Sequence, residues 1–317
     1  MPQVACSPQS PHPATKAMRR PLCPLFVFLV AAVAFAPRTE AGPAPEQAAA
    51  PPSPPISSEP LALGHGEQLH FQIAWGIFPK AGEIKISAEE VSESEPMPAI
   101  STDNATGRGH HFAEENGAPS SPRLLRISTT TRTRSTVAKF FRFRAQSIAL
   151  FDTRSGLLLH SEEESHSRKK ATRQSLDFDY PAHRAHYTNE VAPEESRPLV
   201  LPPGQPMDLI TSLIQTRAWD LRPGESRDAL VIFEDDFYEL TIHATGYEEL
   251  KTPLGRFRTL ILEPRMERTE PKGMFKRGST VKVWISQDTR RLPVRFQVEF
   301  KFGAGVATLV NYSPPEP

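Results

Sequence analysis

The fold of this chain is decided by residues 66–88, which have the sequence GEQLHFQIAWGIFPKAGEIKISA. Apolar and polar residues alternate from 69 to 75, and the alternation returns from 84 to 88 after a turn that contains Gly76 and Gly82. Alternation with a period of two is typical of a strand that buries one face. The stretch therefore predicts a β-hairpin.

The same alternation of apolar and polar residues continues in the chain beyond this hairpin. Short alternating segments and turns follow one another up to about residue 312, and residues 207–221 alone carry apolar residues at helical spacing. Helices do not alternate with strands, which argues against a parallel nucleotide-binding sheet. We predict a mainly β fold, namely an antiparallel, barrel-like or strongly curved sheet of about a dozen strands with one helix at about 207–221.

The first 41 residues have the layout of a secretory signal peptide. An unbroken apolar run of 12 residues, 25–36, follows Arg19 and Arg20, and small residues precede a cleavage site after Ala41. Such a run is shorter than the roughly 20 residues that span a bilayer. We predict a signal peptide at 1–41 and an exported protein of the periplasm or cell envelope. Met18 is favoured as the true translation start because it leaves a short basic segment, and an uncleaved anchor is the alternative.

Both cysteines, Cys6 and Cys23, precede the predicted cut. A mature chain without cysteine forms neither a disulfide nor a thiolate-ligated metal centre. No later apolar stretch reaches 18 residues, so we expect no integral membrane span after cleavage.

The mature chain divides by composition into a linker and a domain. Residues 42–65 are rich in proline and alanine and are predicted to be an extended linker. Residues 66–313 are predicted to form a single β domain. Within it, the polar segment 92–122 breaks the alternation and is predicted to be an inserted surface loop.

Motifs for catalysis and for cofactors are missing from the sequence. Lysine plus arginine and aspartate plus glutamate both number 37, and this neutrality argues against a nucleic-acid partner. The chain has no nucleophile elbow, no glycine-rich phosphate loop and no His-Glu-x-x-His motif. Asp288 lies between two strands and is expected to cap its own turn. We therefore expect no catalytic residue, no cofactor and no metal site, with a hydrolase left as the third alternative for function.

Residues 123–144 carry seven basic residues and no acidic one. Arg126, Arg132 and Arg134 share strand parity and should project from one face. Such a face could meet the anionic headgroups of phospholipid or lipopolysaccharide. The alternative is a solvated strand face whose arginines pair with acidic residues across the sheet.

Large apolar residues supply the candidates for a ligand-lining surface. Phe71, Trp75 and Trp284 lie on predicted strands. Side chains of this kind either fill the core of a barrel or line a ligand cavity inside it, and the sequence leaves both alternatives open.

Four stretches of the chain carry a family pattern in order. They are the hairpin at 66–83, the helix at 207–217, the turn at 252–257, and residues 283–294 with the sequence VWISQDTRRLPV. Together they resemble a bacterial envelope family, domain of unknown function 3108, over roughly 66–312. The loop 92–122 departs from the shorter connection of the family. The resemblance implies an exported, mostly β protein, and it offers no catalytic residues to transfer.

Two hypotheses for function remain ahead of an enzyme. The first is an exported, periplasmic β-barrel-like protein that binds an apolar or amphipathic envelope ligand, such as a lipid, or a partner. The second is a structural or assembly factor of the envelope without a ligand pocket.

Overall fold

The computed structural model describes residues 59–91, 123–168, 170–272, 275, 279–300 and 303–316. The predicted signal peptide, most of the predicted linker and the predicted loop 92–122 lie outside the described residues and stay predictions.

The described residues contain fifteen strands, two α-helices and two short 3-10 helices. The strands are β1 (Gln68–Trp75), β2 (Phe78–Val91), β3 (Leu124–Thr133), β4 (Phe143–Asp152), β5 (Leu158–Ser167), β6 (Ala171–Asp179), β7 (Arg184–Asn189), β8 (Arg197–Val200), β9 (Pro206–Asp208), β10 (Ser226–Phe233), β11 (Asp236–Thr252), β12 (Gly255–Arg265), β13 (Thr280–Ser286), β14 (Pro293–Phe300) and β15 (Gly303–Ser313). The helices are α1 (Ser135–Phe140), α2 (Leu209–Gln215), and the 3-10 turns Pro193–Glu195 and Thr216–Ala218.

All fifteen strands belong to one sheet, in the order β8-β7-β6-β5-β4-β3-β2-β1-β15-β14-β13-β12-β11-β10-β9. Neighbouring strands are antiparallel, except that β9 runs parallel to β10. Strand β1 pairs with β15, so the first and the last described strands meet in the middle of the sheet. The two edge strands, β8 and β9, follow each other in the chain, and β9 touches β5. The sheet is therefore strongly curled but not closed, and the prediction of a mainly β, curved or barrel-like fold is confirmed.

The curled sheet has two distinct ends. Because consecutive strands run antiparallel, the β1–β2, β3–β4 and β5–β6 connections lie at one end, which we call the α1 end. The β4–β5, β6–β7 and β8–β9 connections lie at the opposite end.

The inward face of the sheet carries the hydrophobic core. Phe71 on β1 is completely buried, and it lies between Ile84 of β2 and Leu309 of β15 in the register of the sheet. Its ring packs against Phe296, with the two ring centroids 5.0 Å apart. Burial of such side chains stabilises the fold by about 1.5–3 kcal/mol each, which explains why the alternation in the sequence marks the inward face so clearly.

Helix α2 covers the seam between the two sheet edges. Asp208 caps its first turn, since Oδ1 accepts hydrogen bonds from the backbone N–H groups of Ile210 and Thr211, each at 3.0 Å. Ile214 points into the core and is completely buried. The helix is shorter than the predicted 207–221, because a 3-10 turn follows it directly.

Three differences from the sequence predictions concern short or terminal elements. Helix α1 was not predicted, since a helix of six residues is too short to show a periodicity. Strands β8 and β9 have four and three residues and were missed for the same reason. The end of the predicted linker packs onto the domain, where Leu63 is buried in the core. Within the described part of the chain, no helix is long and apolar enough to cross a membrane.

Candidate functional site

The seam between the sheet edges contains an open cavity of about 530 Å³, which we call the seam cavity. Its walls come from the β6–β7 turn, the β8–β9 connection, α2 and strands β10 and β11. The cavity exists because the first residues of β10, 226–229, have no strand partner on the side of β9. Its volume falls within the range of about 300–1,000 Å³ that is typical of small-molecule sites.

Apolar side chains form the floor of the seam cavity. Leu201, Met207, Leu230 and Leu240 line it, and each is at least nine-tenths buried. They come from the β8–β9 connection, β9, β10 and β11, so the floor is built only when both sheet edges are in place. The floor can therefore receive the apolar part of a ligand.

Trp219 is the distinctive polar group of the cavity wall. The residue is 5% exposed, and its indole N–H has no hydrogen-bond partner among the described residues. A buried donor without a partner costs about 1–3 kcal/mol. The guanidinium of Arg227 lies over the ring, 4.7 Å from its centroid. Trp219 thus brings to the wall a donor whose hydrogen bond is not made among the described residues.

Charges of both signs surround the seam cavity. Arg227 forms an ion pair with Glu59 at 2.8 Å, and Arg268 forms one with Asp228. All four residues line the cavity. Each of these cations has an acidic partner and Glu239 also lines the cavity, so the surroundings do not favour an anionic ligand.

A buried ion pair ties the floor region to the start of the first strand. Glu67 is 1% exposed, and its Oε1 accepts a hydrogen bond from Nη1 of Arg217 at 2.5 Å. Its other oxygen accepts from the backbone N–H of Gly64 at 3.1 Å. Arg217 lies in the 3-10 turn after α2, so the pair joins two segments that are 150 residues apart.

The turn between β13 and β14 completes this network. Nε of Arg291 donates to the carbonyl of Arg217 at 2.8 Å, and its Nη2 donates to the carbonyl of Trp219 at 2.6 Å. The network of Glu67, Arg217 and Arg291, which we call the clasp, therefore fixes the backbone that carries Trp219 into the cavity wall.

Asp288 organises the same turn. Ser286 Oγ donates to Asp288 Oδ1 at 2.7 Å, and the backbone N–H of Arg291 donates to this oxygen at 3.2 Å. Burial would raise the pKa of Asp288, but these hydrogen bonds and the charge of Arg290 outweigh it and lower the pKa. The expectation that Asp288 caps its own turn is confirmed.

The four stretches with the family pattern meet around the clasp, at the end of the sheet opposite the α1 end. The clasp contains residues from the first, second and fourth stretches. The third stretch joins through Phe257, whose ring lies 5.8 Å from the guanidinium of Arg290. The sequence contained all of these residues, but their separation along the chain concealed that they form one cluster.

A second, smaller cavity of about 90 Å³ lies against the inward faces of β3 to β6. Its lining combines apolar side chains, such as Leu176, Ile210 and Ile232, with polar ones that include Thr129, Glu163, Gln174, Asp208 and Glu234. Burial and the charges of Glu234 and Asp208 raise the pKa of Glu163 to about 7, against an opposing hydrogen bond from Gln174. Burial also raises the pKa of Asp208.

This second cavity has room for a few water molecules but not for a ligand of ordinary size. Among the described residues, no group of three or more His, Cys, Asp or Glu side chains is arranged so that it could hold a metal ion. Glu163 in this cavity therefore keeps its proton to a higher pH than an ordinary glutamate does.

The three sequence candidates for ligand lining lie elsewhere. Phe71 is completely buried in the core, and Trp75 is half-buried near the turn that ends β1. Trp284 is 4% exposed on the outward face of β13, where its indole N–H donates to Glu248 Oε2 at 2.8 Å. None of the three is among the residues that line the two cavities described above. Their role in ligand binding stays a prediction.

The three candidate arginines, Arg126 and Arg132 on β3 and Arg134 directly after it, have acidic partners on β2. Arg126 pairs with Glu89 at 2.8 Å, while Arg132 and Arg134 both pair with Glu83. Glu83 is 3% exposed. Burial would raise its pKa, but the hydrogen bonds from Arg132 and His70 and the two arginine charges outweigh it and lower the pKa. That these arginines meet an anionic surface stays a prediction.

This chain is similar to a family model and to a solved structure. The model of the family described as protein of unknown function (DUF3108) matches residues 113–310, which is more than half of the chain. The hairpin at 66–83 lies outside this match. No curated protein matches the chain.

A solved structure with a similar outline is a crystal structure of a beta-barrel-like protein of the domain of unknown function DUF1849 from Brucella abortus. The two share 7% sequence identity with a TM-score of 0.46, over 79% of this chain and 98% of the other. A likeness at this level adds nothing to what the strand order already shows. The extent of the family match is decisive instead: this chain belongs to the DUF3108 family of proteins of unknown function.

Proposed function

We propose that this protein is an exported protein of the cell envelope that binds a small amphipathic molecule in the seam cavity. The observation that carries the proposal is the indole N–H of Trp219, which is buried without a partner in the wall of a 530 Å³ cavity with an apolar floor.

The chemistry of the walls indicates the class of ligand. The apolar floor favours a hydrocarbon portion, and the N–H of Trp219 favours a hydrogen-bond acceptor such as an ester or amide carbonyl. The paired charges of Arg227 with Glu59 and of Arg268 with Asp228 favour a neutral or zwitterionic polar group. A lipid-like molecule with one short chain combines these properties.

Export is supported by the sequence alone. The basic residues, the apolar run 25–36 and the small residues before Ala41 have the order of a secretory signal peptide. Both cysteines precede the predicted cut, so the mature chain would need no oxidative folding.

The direct test is native mass spectrometry of the protein purified from its own cell envelope. We expect a reproducible additional mass of a lipid-like compound. Isothermal titration with a short-chain lysophosphatidylcholine, used below its micelle concentration, then measures binding to the emptied protein.

Variants locate the binding. Trp219→Phe removes the N–H and should weaken binding about threefold to tenfold, the equivalent of one hydrogen bond. Ala229→Phe should abolish binding by filling the cavity, since Ala229 lines it. Trp284→Phe is the matched control, because it removes an indole N–H outside the cavity. No additional mass together with no titration signal would refute ligand binding and favour an envelope assembly factor.

A further inference from the structure

Two large apolar side chains are largely exposed to solvent at the α1 end of the sheet. Ile77, in the β1–β2 turn, is 87% exposed, and Phe140, the last residue of α1, is 73% exposed. Helix α1 has an inward face as well, where Val137 is 7% exposed. Phe140 is therefore exposed because it lies on the outer face of α1, although the helix also has an inward face that buries an apolar side chain.

The connections that carry these residues form one continuous surface, which we call the α1 rim. The backbone N–H of Arg134, before α1, donates to the carbonyl of Ala81 on β2 at 2.8 Å. Arg168, in the β5–β6 turn, donates from Nη2 to the carbonyl of Lys139 on α1 at 2.8 Å. These hydrogen bonds join the β3–β4 connection to the first residues of β2 on one side and to the β5–β6 turn on the other.

The α1 rim is strongly basic. The described residues that supply it, 74–82, 133–144, 166–168 and 170–171, contain no acidic residue, and Glu83, which pairs with Arg134, follows the first of these segments. Lys80, Lys139, Arg142 and Arg168 are all exposed in the structure. The chain as a whole has zero net charge, so these three connections hold a local excess of positive charge. The β7–β8 and β10–β11 connections, which lie at the same end of the sheet, carry acidic residues instead, namely Glu190, Glu194, Glu195, Glu234 and Asp235.

We propose that the α1 rim docks on the surface of an anionic lipid bilayer, with Ile77 and Phe140 inserted among the lipid headgroups and the surrounding lysines and arginines at the phosphates. Apolar tips within a basic collar are the combination that interfacial membrane binding uses. A protein partner fits less well, because lysine is depleted in the buried centre of protein interfaces.

Docking at this end leaves the seam cavity accessible. The cavity is lined by His183 of the β6–β7 turn and by the β8–β9 connection, both at the opposite end of the sheet. Membrane docking by the α1 rim is therefore separate from the proposed ligand binding, and different measurements test the two proposals.

The test is co-sedimentation of the chain from residue 42 onwards with vesicles of phosphatidylcholine containing about a third phosphatidylglycerol. We expect binding at low salt that weakens several-fold in 0.5 M salt, since charges on an exposed surface are screened. Ile77→Ser/Phe140→Ser should weaken partition about a hundredfold, with each inserted side chain giving about tenfold. Lys139→Glu/Arg142→Glu should weaken it at least tenfold.

The opposite end of the sheet supplies matched controls. Val200→Ser replaces a residue with the same 73% exposure as Phe140. Lys251→Glu/Arg256→Glu reverses two exposed cations that face each other across the β11–β12 hairpin. Both controls should bind like the wild type, and circular dichroism should show all variants folded.

Three results would overturn the proposal. One is a wild type that stays in solution with anionic vesicles at low salt. Another is equal binding to vesicles of phosphatidylcholine alone. The third is an Ile77→Ser/Phe140→Ser variant that binds as the wild type does, which would leave only a diffuse electrostatic attraction and no docking by this rim.

Discussion

Replacing Glu67 by glutamine should strongly destabilise the fold. The side chain of Glu67 is 1% exposed and that of its partner Arg217 is 12% exposed, so neither charge can be solvated when the other is lost. Glutamine keeps the size of the side chain and an oxygen that can accept from Gly64, so the change removes little besides the charge. Breaking a buried ion pair at one partner costs about 3–5 kcal/mol.

A matched change on the surface separates the effect of burial from the effect of the charge itself. Glu89 forms an ion pair with Arg126 at 2.8 Å, but its side chain is 55% exposed. Glu89→Gln should therefore change the free energy of unfolding by no more than about 1 kcal/mol.

Equilibrium unfolding in urea, followed by circular dichroism, measures both variants. We expect a lower midpoint for Glu67→Gln with an unchanged slope, and a fall in melting temperature of roughly 6–20 °C for a domain of this size. The double variant Glu67→Leu/Arg217→Met should recover much of the loss, because it leaves no unpaired buried charge. If Glu67→Gln and Glu89→Gln lower the free energy of unfolding equally, the clasp does not hold the seam and the reasoning fails.

Three further predictions concern other buried groups. Trp284→Ala should destabilise by about 3–5 kcal/mol in a urea titration, because the indole is 4% exposed; a loss below about 1 kcal/mol would contradict its structural role. Glu163 has an ordinary pKa of 4.5 and a folded pKa of about 7. The unfolded chain therefore loses its proton first as the pH rises, and the free energy of unfolding should fall by up to about 3 kcal/mol between these two values. Glu163→Gln should remove this pH dependence, and an unchanged profile of melting temperature against pH would disprove the assignment. Arg132→Glu/Arg134→Glu should destabilise by at least about 2 kcal/mol, since the buried carboxylate of Glu83 would keep only His70 as a partner and would face two further carboxylates; an unchanged melting temperature would show that Glu83 does not depend on the two arginines.

The sequence alone determined the class of fold and the local features within single elements. The alternation at 69–75 indicated the buried face of β1 because side chains on a strand point alternately to opposite sides. Asp288 in its turn was recognisable for a similar reason, since it bonds to the backbone N–H group of Arg291, three residues further on.

The tertiary structure decided which strands pair and what lies at the seam. Alternation of apolar and polar residues indicates which face of a strand is buried, but it does not indicate which strand lies next to it. The pairing of β1 with β15 and the gap between β8 and β9 could therefore not be predicted from the sequence. The seam cavity follows from that gap, and the clasp joins Glu67 to Arg217 across 150 residues. The unpaired N–H of Trp219 is a property of the assembled wall, because it depends on which acceptors other segments bring near it, and no local pattern carries that information.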